Sequence, residues 1–170
     1  MIRSIFKRCS ITKDELLKHL TKLCEDLRAD VEIRNVEGGI YGAVRVNNEL
    51  VCDVRVNENM CEYYLKIKNI NYLNYLIKSG FKELAELIRN YSGSYPSEVV
   101  VSKVIPSRSI YILMSSRDVP KAFPSVRVTY RENFFEVSSS YCRLSVDEDT
   151  CKFLNELLNI AKKYWLEMFE

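Results

Sequence analysis

The sequence predicts an α+β protein in which antiparallel β meanders of about four strands each are packed by long amphipathic helices, in the order α-ββββ-α-ββββ-α. Three observations support this prediction. Short runs rich in Val, Ile and Tyr recur at close spacing, turn-forming Asn, Gly and Pro separate them, and longer stretches with helical periodicity stand before, between and after the two groups of strands.

Length and composition limit the range of functions. The chain has 170 residues, of which 47% are hydrophobic and 28% charged, as in ordinary folded proteins. Its formal net charge of +2 is too small to drive strong non-specific binding to nucleic acid, so such binding needs a local patch. No run of about 18 apolar residues is present, and no apolar segment follows the basic residues of the N-terminus. We therefore expect a cytoplasmic protein with no membrane partner.

The first helix is expected from Thr12 to about Ala29. Thr12 and Glu15 form a capping box, in which each side chain accepts a hydrogen bond from a backbone N–H that has no partner within the helix. Leu16 and Leu20 lie one helical turn apart and begin an apolar face. This segment is therefore predicted to cover a sheet.

Four strands follow, and their alternation of apolar and polar residues indicates an antiparallel meander. Pairs of Asn or Gly residues separate them. Their predicted bounds are Val31 to Asn35, Ile40 to Val46, Leu50 to Val56 and Cys61 to Lys68.

The loop lengths decide which residues of this meander share a face, because side chains two apart in a strand lie on the same side. A three-residue loop at 47–49 places Ile40 and Leu50 on one apolar side. A four-residue loop at 57–60 continues that side through Cys61. An unbroken apolar face is the result.

The four-residue loop is also favoured by charge. It sets Arg55 between Tyr41 and Glu62 on neighbouring strands. A two-residue loop would oppose Asp53 to Glu62, and like charges on directly opposed residues destabilise a sheet.

The second helix is expected from about Asn71 to Tyr91, with an apolar stripe that includes Gly80. A glycine in a helix interior costs about 1 kcal/mol relative to alanine. Close packing against a strand is the preferred reason for it, and a break in the helix at Ser79 and Gly80 is the alternative.

A second group of strands and a final helix complete the chain. The final helix is expected to open at Ser145, where Glu148 supplies a second capping box, and to run nearly to the C-terminus. The predicted strands are Glu98 to Ile105, Ser109 to Met114, Val126 to Tyr130 and Phe134 to Ser138, with a short addition at Tyr141 to Leu144.

The two groups of elements suggest an internal duplication within one compact domain, 1–170. Short matching segments recur in the same order, so the candidate halves are 12–91 and 97–169, joined at 92–96. Insertions are needed to align them, and chance similarity is the alternative.

The cysteines and the single histidine do not predict a metal site. None of the six cysteines is spaced as C-x2-C, and only His19 is available to complete a set of ligands. We interpret the cysteines as small core residues, with disulfides as the alternative.

The first candidate site is a nucleic-acid-binding face on the polar side of the first meander. Aromatic rings stack bases and interleaved cations neutralise phosphates, which is the combination that single-stranded nucleic acid requires. An ordinary solvated sheet face is the alternative. The residues are Tyr41, Arg45, Arg55, Tyr64, Lys66 and Lys68.

A second cationic stretch lies in the long connection that contains Pro120 and Pro124. Its Arg117, Lys121, Arg127 and Arg131 are added to the predicted nucleic-acid site. Phe123, between the two prolines, is predicted to contact a protein partner, because stiffening of a loop by proline lowers the entropic cost of binding.

The final helix is apolar over more than half its circumference, which is typical of a helix that is enclosed in a core or shared with a second chain. Burial within one chain is the first interpretation. A homodimer or a larger protein complex is the second, because Trp and Tyr are common binding anchors. The predicted interface residues on this helix are Phe153, Ile160, Tyr164, Trp165 and Phe169.

Catalysis is not predicted. The chain has no phosphate-binding loop, no G-x-S-x-G and no H-E-x-x-H motif, and no cofactor is expected. An enzyme that uses carboxylates or tyrosines remains an alternative, because such sites need no local motif. A further alternative is a carrier of small hydrophobic ligands, with a pocket lined by Tyr63, Phe81, Tyr111 and Phe135. The sequence thus favours a non-catalytic binding or assembly module.

Overall fold

A single antiparallel sheet of eight strands forms the centre of the fold. The computed structural model describes residues 11–24, 29–59, 61–68, 73–90, 98–115, 126–131, 134–139 and 148–169. In chain order the elements are α1 (Lys13–Leu23), β1 (Ala29–Val36), β2 (Gly39–Val46), β3 (Glu49–Asn57), β4 (Glu62–Ile67), α2 (Leu73–Lys78), α3 (Lys82–Asn90), β5 (Glu98–Val104), β6 (Ser109–Ser115), β7 (Val126–Arg131), β8 (Phe134–Ser139) and α4 (Glu148–Phe169).

The α+β class and the antiparallel sheet are confirmed, and consecutive strands are neighbours throughout. The two predicted groups of strands do not form separate sheets. Strand β4 pairs with β5, with Leu65 beside Val101, so the sheet continues across the middle of the chain. One face of the whole sheet can therefore act as a single surface.

The helices α1 and α4 cover the same face of this sheet. A side chain at Gly42 would point at Leu16 and Leu20 of α1, and Lys103, whose side chain points to the same face, hydrogen-bonds the carbonyl of Met168 in α4 at 3.1 Å. The fold is thus a two-layer arrangement with its apolar core between helices and sheet. Among the described residues, no helix has the length and apolar character needed to cross a membrane.

The start of the first helix is as predicted, whereas its end is earlier. The Thr12 hydroxyl accepts a hydrogen bond from the Glu15 N–H at 3.2 Å. The helix ends at Leu23, with Cys24 as its C-cap, and Ala29 belongs to β1. The predicted end was wrong because the apolar periodicity continued past the point where the helix stops.

The second predicted helix is two helices, so the alternative break at Gly80 is correct. Gly80 has φ +105°, in the left-handed region that glycine adopts without a steric penalty. Its N–H donates to the Ile77 carbonyl and the Phe81 N–H donates to the Leu76 carbonyl, both at 3.0 Å. This pair of bonds is a Schellman motif, which ends helix α2 and lets α3 start in a new direction.

The turn between β2 and β3 is shorter than predicted. Asn47 and Asn48 alone form it, with φ +51° and +64°, as in the tight hairpin turn that matches strand twist. A register shift between Val44 and Arg45 then restores the predicted faces from Cys52 onward. The three-residue loop was therefore wrong, although the resulting faces are mostly as predicted.

The next connection has four residues as predicted, but it lies one residue further along. Asn57 pairs with Glu62, and Arg55 therefore faces Tyr64 instead of Glu62. Because the register changes by two residues, the apolar face is preserved. Asp53 faces Lys66, an attractive pair.

The remaining predicted strands agree with β5 to β8 within one residue at each end. The predicted segment Tyr141 to Leu144 and the predicted cap at Ser145 lie outside the described residues. Cys24 and Cys52 are buried free thiols, as expected, and burial raises the pKa of both. Cys61, in contrast, is disulfide-bonded, so its interpretation as a free core residue was wrong.

Helix α4 is attached to α3 by a small polar cluster. The Lys163 ammonium lies 2.8 Å from Glu83 Oε1, and the Tyr164 hydroxyl donates to Glu83 Oε2 at 3.0 Å while accepting from the Leu84 N–H at 3.1 Å. The hydrogen bond from Lys163 is the main reason that the pKa of Glu83 falls from its ordinary value of 4.5 to about 2.

We expect Glu83→Gln to reduce stability at neutral pH by about 0.5–1 kcal/mol, because the ion pair is partly exposed to solvent. A lowered carboxyl pKa in the folded state stabilises the protein fully above the ordinary pKa. The contribution is lost as the pH falls toward about 2. Denaturant unfolding at about pH 7 and about pH 2.5 measures the free energy of unfolding of both proteins. The difference between the two values should become smaller at the lower pH. Glu86→Gln, in an exposed pair with Lys82, is the control.

Candidate nucleic-acid interface

The sheet face opposite the helices, which we call the polar face, carries the six residues predicted from the first meander. Alternation along the strands places every second residue on this face. Lys68 directly follows β4, and its N–H donates to the Val51 carbonyl at 3.0 Å. The six are Tyr41 and Arg45 in β2, Arg55 in β3, Tyr64 and Lys66 in β4, and Lys68.

Strand pairing arranges some of these residues in a line that crosses seven strands, which we call the aromatic row. It alternates cations and tyrosines, with a small residue on β5. Its members, from β1 to β7, are Arg34, Tyr41, Arg55, Tyr64, Ser102, Tyr111 and Arg127. At about 4.8 Å for each strand-to-strand step, the aromatic row is about 29 Å long.

Three members of the aromatic row were not predicted as nucleic-acid residues. Arg34 faces Tyr41 because β1 and β2 are joined by a two-residue turn, Glu37 and Gly38. Parity counting across that turn would have found Arg34. Ser102 and Tyr111 enter the row only through the β4–β5 pairing, which no local signal in the sequence reveals.

The ring of Tyr41 is not accessible for stacking with a base. Its side chain is only 7% exposed, and the guanidinium carbons of Arg34 and Arg55 lie 4.9 Å and 5.3 Å from its ring centroid. Each cation comes from a strand that flanks β2, so both are held by cation–π contacts. The role of Tyr41 as a base-stacking platform is therefore replaced by a structural role, in which it positions the two arginines.

Tyr64 and Tyr111 are half-buried and lie on either side of the small Ser102. Lys66 lies 5.5 Å from the centroid of the Tyr64 ring and 3.3 Å from Glu98 Oε1. Burial alone would lower the pKa of Lys66, but interactions with Tyr64 and Glu98 raise it overall, so Lys66 stays protonated. Tyr64 and Tyr111 are therefore the two tyrosines of the row whose rings are partly exposed.

Asp53 is an unusual acidic residue in this basic surrounding. It is 4% exposed, and its Oδ2 accepts a hydrogen bond from the Tyr41 hydroxyl at 3.2 Å. Burial raises its pKa, although Lys66, the hydrogen bond from Tyr41, Arg55 and Lys68 all act in the opposite direction. Its Oδ1 is buried and has no hydrogen-bond partner in the described part of the chain.

Some cations of the polar face are already paired with acids. Arg45 Nε lies 4.0 Å from Glu32 Oε2, and Lys66 is paired with Glu98. The exposed Arg45–Glu32 pair is weak and can be exchanged for a contact with phosphate, whereas the Lys66 and Glu98 side chains are only 21% and 26% exposed. Arg55 and Arg127 pair directly with Tyr64 and Tyr111 across the strands, and Lys66 also lies 5.5 Å from the Tyr64 ring centroid.

The predicted cations of the long connection are only partly described. Arg127 is in the aromatic row, and Arg131 closes β7, with its side chain outside the described residues. Arg117, Lys121 and Phe123 also lie outside them. The structure therefore brings one residue of this group, Arg127, to the site.

Most of the predicted interface residues of α4 are buried in the core. Phe153, Tyr164 and Trp165 are buried, and the Trp165 ring stacks on Phe169 with centroids 5.0 Å apart. Ile160 and Phe169 are half-buried. The predicted anchors Tyr164 and Trp165 therefore have almost no side-chain surface to present to a partner.

The predicted ligand pocket does not bring its residues together. Tyr63 and Phe81 are buried on the helix side, whereas Tyr111 lies on the polar face, on the other side of the sheet. The side chain of Phe135 lies outside the described residues. Within the described ranges, no group of three His, Cys, Asp or Glu residues could hold a metal ion.

The fold and the site together define a class: a two-layer α+β protein whose continuous antiparallel sheet exposes a line of tyrosines and cations. No protein-family model, curated protein or solved structure matches the chain.

Proposed function

We propose that this protein is a non-catalytic module that binds single-stranded nucleic acid along the aromatic row. The observation that carries the proposal is the cross-strand register, which places a cation or a tyrosine on six of seven neighbouring strands, with Ser102 on the seventh. A single-stranded nucleic acid that lies across the sheet would contact a ring or a positive charge at most of the β-strands that it crosses. The row length of about 29 Å suits a site of at least four nucleotides.

The geometry favours single strands over duplexes. Rings stack only on bases that have left a helix, and the described helices α1 and α4 lie on the opposite face of the sheet, where neither can carry the polar face into a major groove. Arg55 and Arg127 stand beside Tyr64 and Tyr111 in the row, so phosphates on each side of a stacked base can be neutralised.

We also propose that the two halves of the chain arose by duplication and that the protein is cytoplasmic. A duplicated origin gives each half four strands, and the joined sheet provides a longer row than either half alone. The alternative of a protein-interaction subunit is supported less, since Tyr164 and Trp165 are buried within the chain.

We expect the double substitution Tyr64→Ser with Tyr111→Ser to weaken binding of a labelled single-stranded 12-mer by at least tenfold, because stacking contributes about 1–3 kcal/mol per base. Fluorescence anisotropy at low and near-physiological salt measures the affinity. Tyr64→Phe with Tyr111→Phe keeps both rings and should retain the affinity. Equal affinities for all three proteins would contradict a stacking site.

A charge-matched pair of variants tests the cations separately. Arg55→Ser with Arg127→Ser removes two charges from the row, and Lys18→Ser with Lys152→Ser removes two from exposed positions on helices α1 and α4. Only the first pair should weaken binding strongly. An equal effect of both pairs would indicate general electrostatic attraction, which falls steeply with salt.

A further inference from the structure

The buried carboxylate of Asp53 lies next to the exposed ring surface of the polar face. Asp53 pairs with Lys66 across β3 and β4, and each of them is two residues from a member of the aromatic row, Arg55 and Tyr64 respectively. Two residues along a strand span about 6.6 Å. The edge of a purine stacked on Tyr64 can therefore reach the Asp53–Lys66 pair.

This carboxylate is set up to accept a hydrogen bond. Among the described residues, its Oδ2 accepts the 3.2 Å bond from Tyr41 and its Oδ1 has no hydrogen-bond partner. A buried acceptor without a partner is unfavourable, and exceptions of this kind call for a functional explanation. Phosphate cannot provide this hydrogen bond, because two anions repel each other, so the expected ligand group is an N–H or O–H donor.

We infer that Asp53 accepts hydrogen bonds from the Watson–Crick edge of a guanine stacked on Tyr64, an inference that rests on the proposed function. Guanine has two adjacent donors on this edge, N1–H and the N2 amino group, which match the two oxygens of a carboxylate. Its O6 is an acceptor beside them, and the Lys66 ammonium can donate to it. Uracil has one N–H between two carbonyl oxygens, and these would face the carboxylate unfavourably.

Access to Asp53 requires movement of the Arg55 and Lys66 side chains. The neighbours of Asp53 on the polar face include Tyr41 and Ala43, which are buried, Lys66, which is half-buried, and Arg55, which is exposed. Arg55 and Lys66 are long and flexible, so they can move apart as the base edge enters. Asp53 is thus a specificity-determining residue, while the rings and cations of the row supply most of the affinity.

The test compares three labelled RNA 8-mers by anisotropy with the full chain: oligouridine, the same strand with one central guanine, and the same strand with inosine at that position. Inosine lacks the N2 amino group. We expect the guanine strand to bind about tenfold more tightly than oligouridine, with inosine intermediate. Equal binding of all three strands would overturn the inference but leave the proposed function standing, whereas no binding of any strand would remove both.

Two variants connect the preference to the residue. Asp53→Asn should reduce the ratio of guanine to uridine affinity to within about twofold, because only one acceptor oxygen remains. Its affinity for oligouridine should stay equal or rise, since an anion leaves a basic face. Asp30→Asn removes an exposed carboxylate from the edge strand β1 and should leave the ratio unchanged. A preference that survives in Asp53→Asn overturns the inference. Should that variant fail to fold, the inosine comparison with the unchanged protein decides.

Discussion

Replacing Trp165 by alanine should lower the free energy of unfolding by about 3–5 kcal/mol, because it removes a large side chain from the core and leaves a cavity. Trp165 is 1% exposed. Its Nε1 donates to the Arg108 carbonyl at 2.7 Å, and the Arg108 guanidinium carbon lies 5.2 Å from its ring centroid. The side chain therefore fastens the turn between β5 and β6 to helix α4. Far-UV circular dichroism during urea unfolding measures the loss, since Trp165 is the only tryptophan and its fluorescence disappears in the variant.

Two further variants separate the contributions. Trp165→Phe keeps an aromatic ring but deprives the Arg108 carbonyl of its donor, so we expect a smaller loss of about 1–3 kcal/mol. Leu166→Ala, at a neighbouring position that is 44% exposed, should change stability by less than about 0.5 kcal/mol. If Trp165→Ala unfolded at the same urea concentration as the unchanged protein, the side chain would not belong to this core, and the dimer-anchor interpretation would regain support.

Much of the fold could be predicted because strand periodicity and turn residues are local signals. The eight strands were found within about two residues at each end, and the Thr12 cap was correct, because each depends on neighbours in sequence. The break at Gly80 was foreseen only as an alternative. Tolerance of glycine within a helix and a left-handed C-cap give the same sequence pattern, and only the backbone φ distinguishes them.

The site was harder to predict because it depends on the order of strands in the sheet. Parity placed Tyr41, Arg55 and Tyr64 on one face correctly, even though the turn at Asn47 and the register beyond Asn57 were wrong. A two-residue error in register preserves the face but changes every partner. Tyr111 joins the row through pairing of β4 with β5, a contact between segments separated by two helices, and no residue pattern encodes it.

Gly39→Ala should destabilise the protein by about 3 kcal/mol or more, since its methyl group would meet backbone that cannot rotate away. A Cβ at Gly39 would lie 1.7 Å from the Val56 carbonyl oxygen and 2.9 Å from the carbonyl carbon, so strands β2 and β3 must separate where Gly39 pairs with Asn57. Gly42→Ala is the matched control in the same strand. Its Cβ would lie 2.6 Å from a Leu20 methyl group, a flexible contact that can move, and we expect a loss of about 1 kcal/mol.

The consequence of Gly39→Ala should extend to the aromatic row, because Tyr41 is two residues from Gly39 and pairs with Arg55 on β3. Separation of the strands there would pull the Arg55 guanidinium away from its position 5.3 Å from the Tyr41 ring centroid. Thermal unfolding and oligonucleotide affinity, measured on the same preparation at a temperature where the variant is folded, should both decrease in Gly39→Ala, whereas Gly42→Ala should retain its affinity. A stable Gly39→Ala protein with unchanged binding would mean that β2 and β3 pair in another register. The residues from Arg34 to Arg127 would then not form one line across the sheet.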